Sequence, residues 1–99
     1  MASEFKVFWT NEAISNLEDI LEYLKGKWTQ REVDNFKKRL SKQISLIEQT
    51  PTLFPVSQTN PRLRKAVLSK QTTIFYEVSD KFIFLAYLFC NMQDIRRVE

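Results

Sequence analysis

The 99-residue chain has no histidine, one cysteine and one glycine, and each scarcity excludes a class of chemistry. Without histidine there is no Ser-His or Cys-His dyad, no imidazole for general acid–base work, and none of the commonest zinc ligand. A lone Cys90 leaves neither an intrachain disulfide nor a thiolate metal site, and a reducing, cytoplasmic setting is the expectation. With Gly26 alone, no G-x-x-x-x-G-K-[ST] or G-x-G-x-x-G loop exists, which excludes nucleotide cofactors held through such loops. Neither a cofactor nor a metal is expected. No stretch approaches the roughly 18 apolar residues of a membrane span, and "MASEFKVFWT" lacks the apolar h-region of a classical signal. No membrane partner is expected. Acid is missing locally as well: between Glu48 and Glu77 there is no carboxylate side chain.

What is present argues for a compact globule. Hydrophobic residues make up 43% of the chain and aromatic residues 13%, where disordered segments are poor in both. A chain of this length fits one domain, residues 1–99, which buries about 65% of the surface exposed when unfolded. The formal net charge is +3, too small to imply nucleic acid, but it is unevenly spread. Residues 1–50 carry eight basic and eight acidic side chains; residues 51–99 carry seven and four.

The order of elements reads β-α-α-β-β-β. "FKVFWT" (5–10) is β-branched and aromatic, as a partly buried strand requires. Thr10 then suits a helix N-cap, with Glu12 in the first turn. Ile14, Leu17, Leu21, Leu24 and Trp28 recur at helical spacing and predict an inward stripe, which Gly26 ends by taking positive φ. "TQRE" gives Thr29 and Glu32 the spacing of a capping box. A second helix runs over 30–49, with Val33, Phe36, Leu40, Ile44 and Ile47 inward, until Pro51 stops it. So short a link makes an αα-hairpin. The loop "TPTLFPVSQTNP" holds all three prolines. Strands follow over 62–69, 72–79 and 82–90, with "SDK" as a tight turn between the last two. "FIFLAYLF" is apolar at both alternating positions, which predicts a central strand covered on both sides. The fold class is α+β: a small, mostly antiparallel sheet with the helical hairpin on one face.

Most polar and aromatic clusters have plain structural readings. Glu18, Asp19 and Glu22 fall on the polar side of an amphipathic helix and read as a solvated face. Trp9 and Trp28 lie on apolar stripes and read as core, and Cys90 as a small buried hydrophobe. "RLRKAVLSK" is different, because Arg62, Arg64, Lys65 and Lys70 bring four positive charges with no acid among them. Alternation along a strand places Arg62 and Arg64 on one face, Lys70 with them and Lys65 opposite. Such a ribbon suits an acidic partner, although exposed charges also protect sheet edges.

The strand "VFWT", the helix opening "A..NLEDILEYL", the loop "PTLFPVS", then "LRKAVLSKQTTIFYEV" and a last apolar strand resemble the RelE/ParE superfamily of toxins. These belong to bacterial type II toxin–antitoxin systems and are known also as plasmid stabilisation proteins. The likeness spans about Phe5 to Arg96, and its more specific part is "P-x-x-F-P-x-S" followed by "L-R-K-x-V" and "F-Y-E-V". The resemblance implies a bacterial, cytoplasmic toxin in hetero-oligomeric association with a cognate antitoxin whose C-terminal segment covers its active surface. ParE-like members poison DNA gyrase without a reaction of their own; RelE-like members cut mRNA on the ribosome with arginine, lysine and tyrosine side chains.

For the ribonuclease branch the matching trio is Arg64, Lys65 and Tyr76. Two usual stabilisers are absent: the arginine three residues before the tyrosine is Thr73, and the basic residue after the last strand is replaced within Asn91, Met92, Gln93, Asp94 and Ile95. Losing one preorganised charge-stabilising donor costs about 10²- to 10³-fold in rate, unless Arg64, Lys65 or Arg96 substitutes. Tyrosine also needs a pKa shift of roughly 3 units to act as a base near neutrality. The ParE-like reading is therefore ranked first, a gyrase inhibitor, ahead of the RelE-like one and of an inactive relic serving as an interaction module. Arg62, Arg64, Lys65, Lys70 and Arg96 are the expected partner-binding residues.

Overall fold

The structure, a computed structural model, describes residues 4–91. Its elements are β1 (Lys6–Trp9), α1 (Asn11–Lys25), α2 (Gln30–Gln49), β2 (Arg64–Val67), β3 (Thr72–Ser79) and β4 (Phe82–Cys90). The strands form one sheet in the order β1-β4-β3-β2, with β1 parallel to β4 and the other pairs antiparallel. The expected α+β architecture is therefore the observed one. No described helix is long and apolar enough to cross a membrane.

Local chemistry sets the helix ends. Thr10 accepts a hydrogen bond from the Ala13 amide, and Thr29 and Glu32 form the full capping box, each satisfying amides that the first turn leaves without partners. Gly26 ends α1 differently from expectation. Its φ is −85°, a right-handed conformation open to any residue, while the positive φ among the described residues falls on Asp80, at 57°. Asp80 belongs to the β3–β4 turn, and aspartate tolerates that region because its short side chain bonds to the local backbone.

The hairpin packs on one sheet face. Ile20, Leu24, Val33, Phe36, Leu40 and Ile47 from the helices meet Ala66, Ile74, Tyr76, Ile83, Leu85 and Leu88 from the strands. Trp9 and Trp28 pack against this core, as expected. In α1 the buried line runs through Ala13, Ile20 and Leu24, and Ile14 is exposed. The apolar stripe is wider than the core it faces, so spacing alone did not fix its centre.

Strand β4 is internal but not covered on both sides, which corrects the expectation for "FIFLAYLF". Ile83, Leu85 and Leu88 are buried beneath the hairpin, whereas Phe82, Phe84 and Phe89 are exposed on the opposite face. Phe75 opposes Tyr87 while Tyr76 opposes Leu85, so Ala86 is an extra residue, a β-bulge that interrupts the ladder. Helix α1 serves the interruption. The Thr10 hydroxyl donates to the Leu85 and Ala86 carbonyls at 2.7 and 3.0 Å, and Asn16 Oδ1 accepts from the Leu88 amide at 3.0 Å. Cys90, expected to be buried, is half-buried; Thr72 donates to its sulfur at 3.7 Å. Burial pushes the Cys90 thiol up, only partly opposed by that hydrogen bond.

Candidate functional site

The expected basic strand is shorter than 62–69, because only Arg64–Val67 pairs with β3. Its outer edge is taken by the proline-bearing loop. Val56 bridges Arg64, the Ser57 amide donates to the Leu63 carbonyl at 2.8 Å, and the Lys65 amide donates to the Pro55 carbonyl at 2.9 Å. Further along, Gln43 Nε2 of α2 donates to the Val67 carbonyl at 3.1 Å. Backbone groups that would otherwise invite another strand are thus occupied.

This arrangement sends the cations in different directions. Arg64 stands opposite Tyr76, on the face that carries buried Ala66, and donates from its guanidinium to the Phe54 carbonyl at 2.7 Å. Tyr76 is wholly buried, and its hydroxyl donates to the Pro51 carbonyl at 2.7 Å. The Phe54 ring meets it edge-on. Burial pushes the Tyr76 phenol up to about 12, against the opposing pull of the Arg64 charge. Lys65 is exposed on the opposite face, in register with Phe75.

Arg62 precedes the strand, and its exposed guanidinium pairs with Glu77 of β3 at 3.5 Å. Arg62 and Arg64 therefore do not form the shared face that alternation suggested. The turn before Arg64 breaks the alternation, and Glu77 of the neighbouring strand, distant from Arg62 in the sequence, supplies its carboxylate. Lys70 is exposed in the β2–β3 connection, outside any strand, so it does not continue an Arg face either. Arg96 lies outside the described residues, as do Met92, Gln93, Asp94 and Ile95.

Two features escaped the sequence reading. The first is a hollow of about 510 Å³ between α2 and the β2–β3 connection, with Trp28 and Phe36 contributing apolar wall and Lys38, Arg39, Ser69 and Gln71 contributing polar rim. Lys70 lies between two of those lining residues in the chain. The signal was visible in "KKRLSK" (37–42), an acid-free basic run on α2. The second is the aromatic outer face of the sheet. Among the described residues no three acidic or cysteine side chains cluster as metal ligands; Glu18, Asp19 and Glu22 are exposed on α1.

Residues 7–89 match the family described as the ParE toxin of the type II toxin–antitoxin system, parDE. The chain belongs to the ParE toxin family. The ParE fold extends to solved structures of low identity. The chromosomal ParDE TA system from P. aeruginosa superposes with a TM-score of 0.74 at 15% identity, covering 90% of this chain and 98% of that one. The toxin–antitoxin complex DinJ-YafQ of E. coli gives a TM-score of 0.63 at 10% identity, covering 91% and 96%. At such identities the likeness is one of fold. No curated protein matches the sequence.

Proposed function

We propose that this ParE-family chain is the toxin half of a bacterial toxin–antitoxin pair, that it blocks growth by binding a target such as DNA gyrase, and that a cognate antitoxin neutralises it in the cytoplasm. Family membership supports the toxin role, and the ParDE and DinJ-YafQ structures it resembles are toxin–antitoxin systems. The observation that carries the non-catalytic reading is the state of Tyr76. A general base must meet the proton it removes and must hold a pKa near the working pH. The Tyr76 hydroxyl is buried, donates inward to Pro51 and is pushed up to about 12. Arg64 is bound to the Phe54 carbonyl beside it, and Lys65 points to the other face. The trio that a ribonuclease would use does not converge.

The exposed cations are the proposed partner-binding residues. Arg62, Lys65 and Lys70 project into solvent, and Lys38 and Arg39 add a second basic surface beside Lys70. An acidic antitoxin segment is drawn to them by long-range attraction before apolar contacts form. Arg64 has a structural role in this proposal, holding the loop that covers β2.

A gyrase supercoiling assay run in parallel with a translation extract tests the reading. Purified protein is expected to inhibit supercoiling and to leave ribosome-bound mRNA intact. Transcript cleavage lost in Arg64→Ala would establish the RelE-like alternative instead, and undisturbed growth after expression without antitoxin would make the chain an inactive interaction module.

A further inference from the structure

The sheet face turned away from the helices is a platform of aromatic rings. Strand register arranges it in rows: Phe8 beside Phe84, Tyr87 beside Phe75, and Phe89 beside Thr73. Phe8 and Phe84 stack at 5.8 Å with planes 24° apart, and Phe75 and Tyr87 at 4.7 Å and 20°. Phe82 packs against both Phe8 and Phe84. The outer rings remain in solvent, Phe89 54% exposed and Phe8 45%, while Phe75 and Tyr87 are half-buried against one another. Isolated surface hydrophobes need no explanation, but a contiguous apolar face across the sheet marks a contact surface.

Its charge limits the occupant. Lys6 lies on β1 beside Phe8, Lys65 lies on β2 opposite Phe75, and Lys81 sits in the turn before Phe82, all exposed. On the face itself the carboxylate is Glu77, already paired with Arg62, and Asp80 lies in the turn with Lys81. Lysines at both sheet edges would repel those of a second copy packed face to face, whereas a linear polyanion can run between them.

Along β4 the rings of Phe82 and Phe84, and those of Tyr87 and Phe89, lie two residues apart, roughly 7 Å, with the Ala86 bulge between the two pairs. Each step is comparable with one nucleotide of an extended, unstacked strand. Every base has a π-face that such rings can take, whereas a duplex offers none along its length. The rings have little to give a ribose 2′-hydroxyl, since Tyr87 carries their one polar group, Glu77 is engaged by Arg62 and Thr73 is half-buried at the end of the face, and a hydroxyl pressed on phenyl rings loses water without a partner. We infer that the outer sheet face of this chain binds single-stranded DNA, its bases stacked on Phe84, Tyr87 and Phe89 and its phosphates following Lys6, Lys65 and Lys81. The inference does not rest on the toxin reading, although the Lys65 side chain serves both proposals, and it uses neither of the side chains, Arg64 and Tyr76, that hold the loop over β2.

The test is fluorescence anisotropy of a labelled oligothymidine of about fifteen nucleotides titrated with the full chain, against an equally long oligouridine and a duplex. Oligothymidine is expected to bind most tightly, oligouridine several-fold more weakly and the duplex at least tenfold more weakly. Phe84→Ala and Phe89→Ala should each weaken binding at least fivefold, and Phe84→Leu, which stays apolar and loses the ring, should weaken it likewise. Lys65→Ala should lower the slope of log affinity against log salt by about 0.7. Circular dichroism of each variant should match the parent, because these side chains lie outside the core. Absent oligothymidine binding, equal duplex binding, or unchanged affinity in Phe84→Leu and Phe89→Ala would overturn the inference. So would a dimer in sedimentation that Phe84→Ala dissociates, which would assign the face to a second copy.

Discussion

Arg64 and Tyr76 stand opposite one another on β2 and β3, and each directs its polar end to a backbone carbonyl of the same loop: Phe54 at 2.7 Å for the guanidinium and Pro51 at 2.7 Å for the phenol. The pair that superficially offers a charge and a base is instead a clamp on residues 51–54. Buried carbonyls need donors, and a loop with two prolines among residues 51–55 supplies few backbone amides of its own.

Removing the phenolic oxygen should therefore cost stability and spare toxicity. Tyr76→Phe leaves the ring in the core and the Pro51 carbonyl without its donor, which costs about 1–2 kcal/mol. Thermal unfolding should fall by roughly 4–12 °C for a chain of this size. Growth arrest on induction should persist once expression is matched; its loss in a folded Tyr76→Phe protein would point to chemistry at the hydroxyl.

The same side chain makes an alkaline prediction. In the unfolded chain tyrosine ionises near pH 10, and in the fold Tyr76 is pushed up to about 12, chiefly by burial. Below pH 10 both states are neutral and the contribution is fully present. Between about pH 10 and 12 the unfolded chain ionises first and stability drains away, by about 3 kcal/mol in all. Urea midpoints of the parent and Tyr76→Phe should converge and then cross over that interval, and parallel pH curves would contradict the assignment. The two proteins differ in no other titrating group, so the comparison between them isolates Tyr76.

Arg64→Ala should loosen the loop that covers β2. A charge-assisted hydrogen bond to a carbonyl is worth about 1.5–3 kcal/mol, and its loss falls on residues 51–57. Limited proteolysis should cut that segment in the variant well before the helices, and an unaltered cleavage pattern would contradict the clamp.

Two N-caps allow an internal comparison. Thr29→Ala removes half of an exposed capping box and should cost about 1 kcal/mol. Thr10→Ala removes a cap and also a hydroxyl held by the Leu85 and Ala86 carbonyls, so a loss of about 2–3 kcal/mol is expected. Chemical denaturation of both variants checks the order, and equal losses would show that the link to the bulge contributes little.

The sequence carried local structure well because the signals were local. The capping box and Pro51 bracket α2 at the observed residues, and the "SDK" turn brackets β3 and β4. Tertiary choices were less legible. An apolar strand such as "FIFLAYLF" does not reveal whether its second face meets protein or water, so nothing in the sequence marks Phe82, Phe84 and Phe89 as exposed. The directions of Arg62 and Arg64 depended on where pairing begins and on Glu77, fifteen positions beyond Arg62. The loop carbonyls that Arg64 and Tyr76 reach have no sequence signature at all.

The parallel β1–β4 pair joins the first described strand to the last across more than seventy residues. A ribosome making this protein therefore holds an unfinished sheet until β4 clears the exit tunnel, since closing so long a loop comes before its contacts reward it. Thr10 and Asn16 wait equally long for the carbonyls and amide they serve. A poison assembled this way gives the cell making it an interval in which the nascent chain is not yet armed.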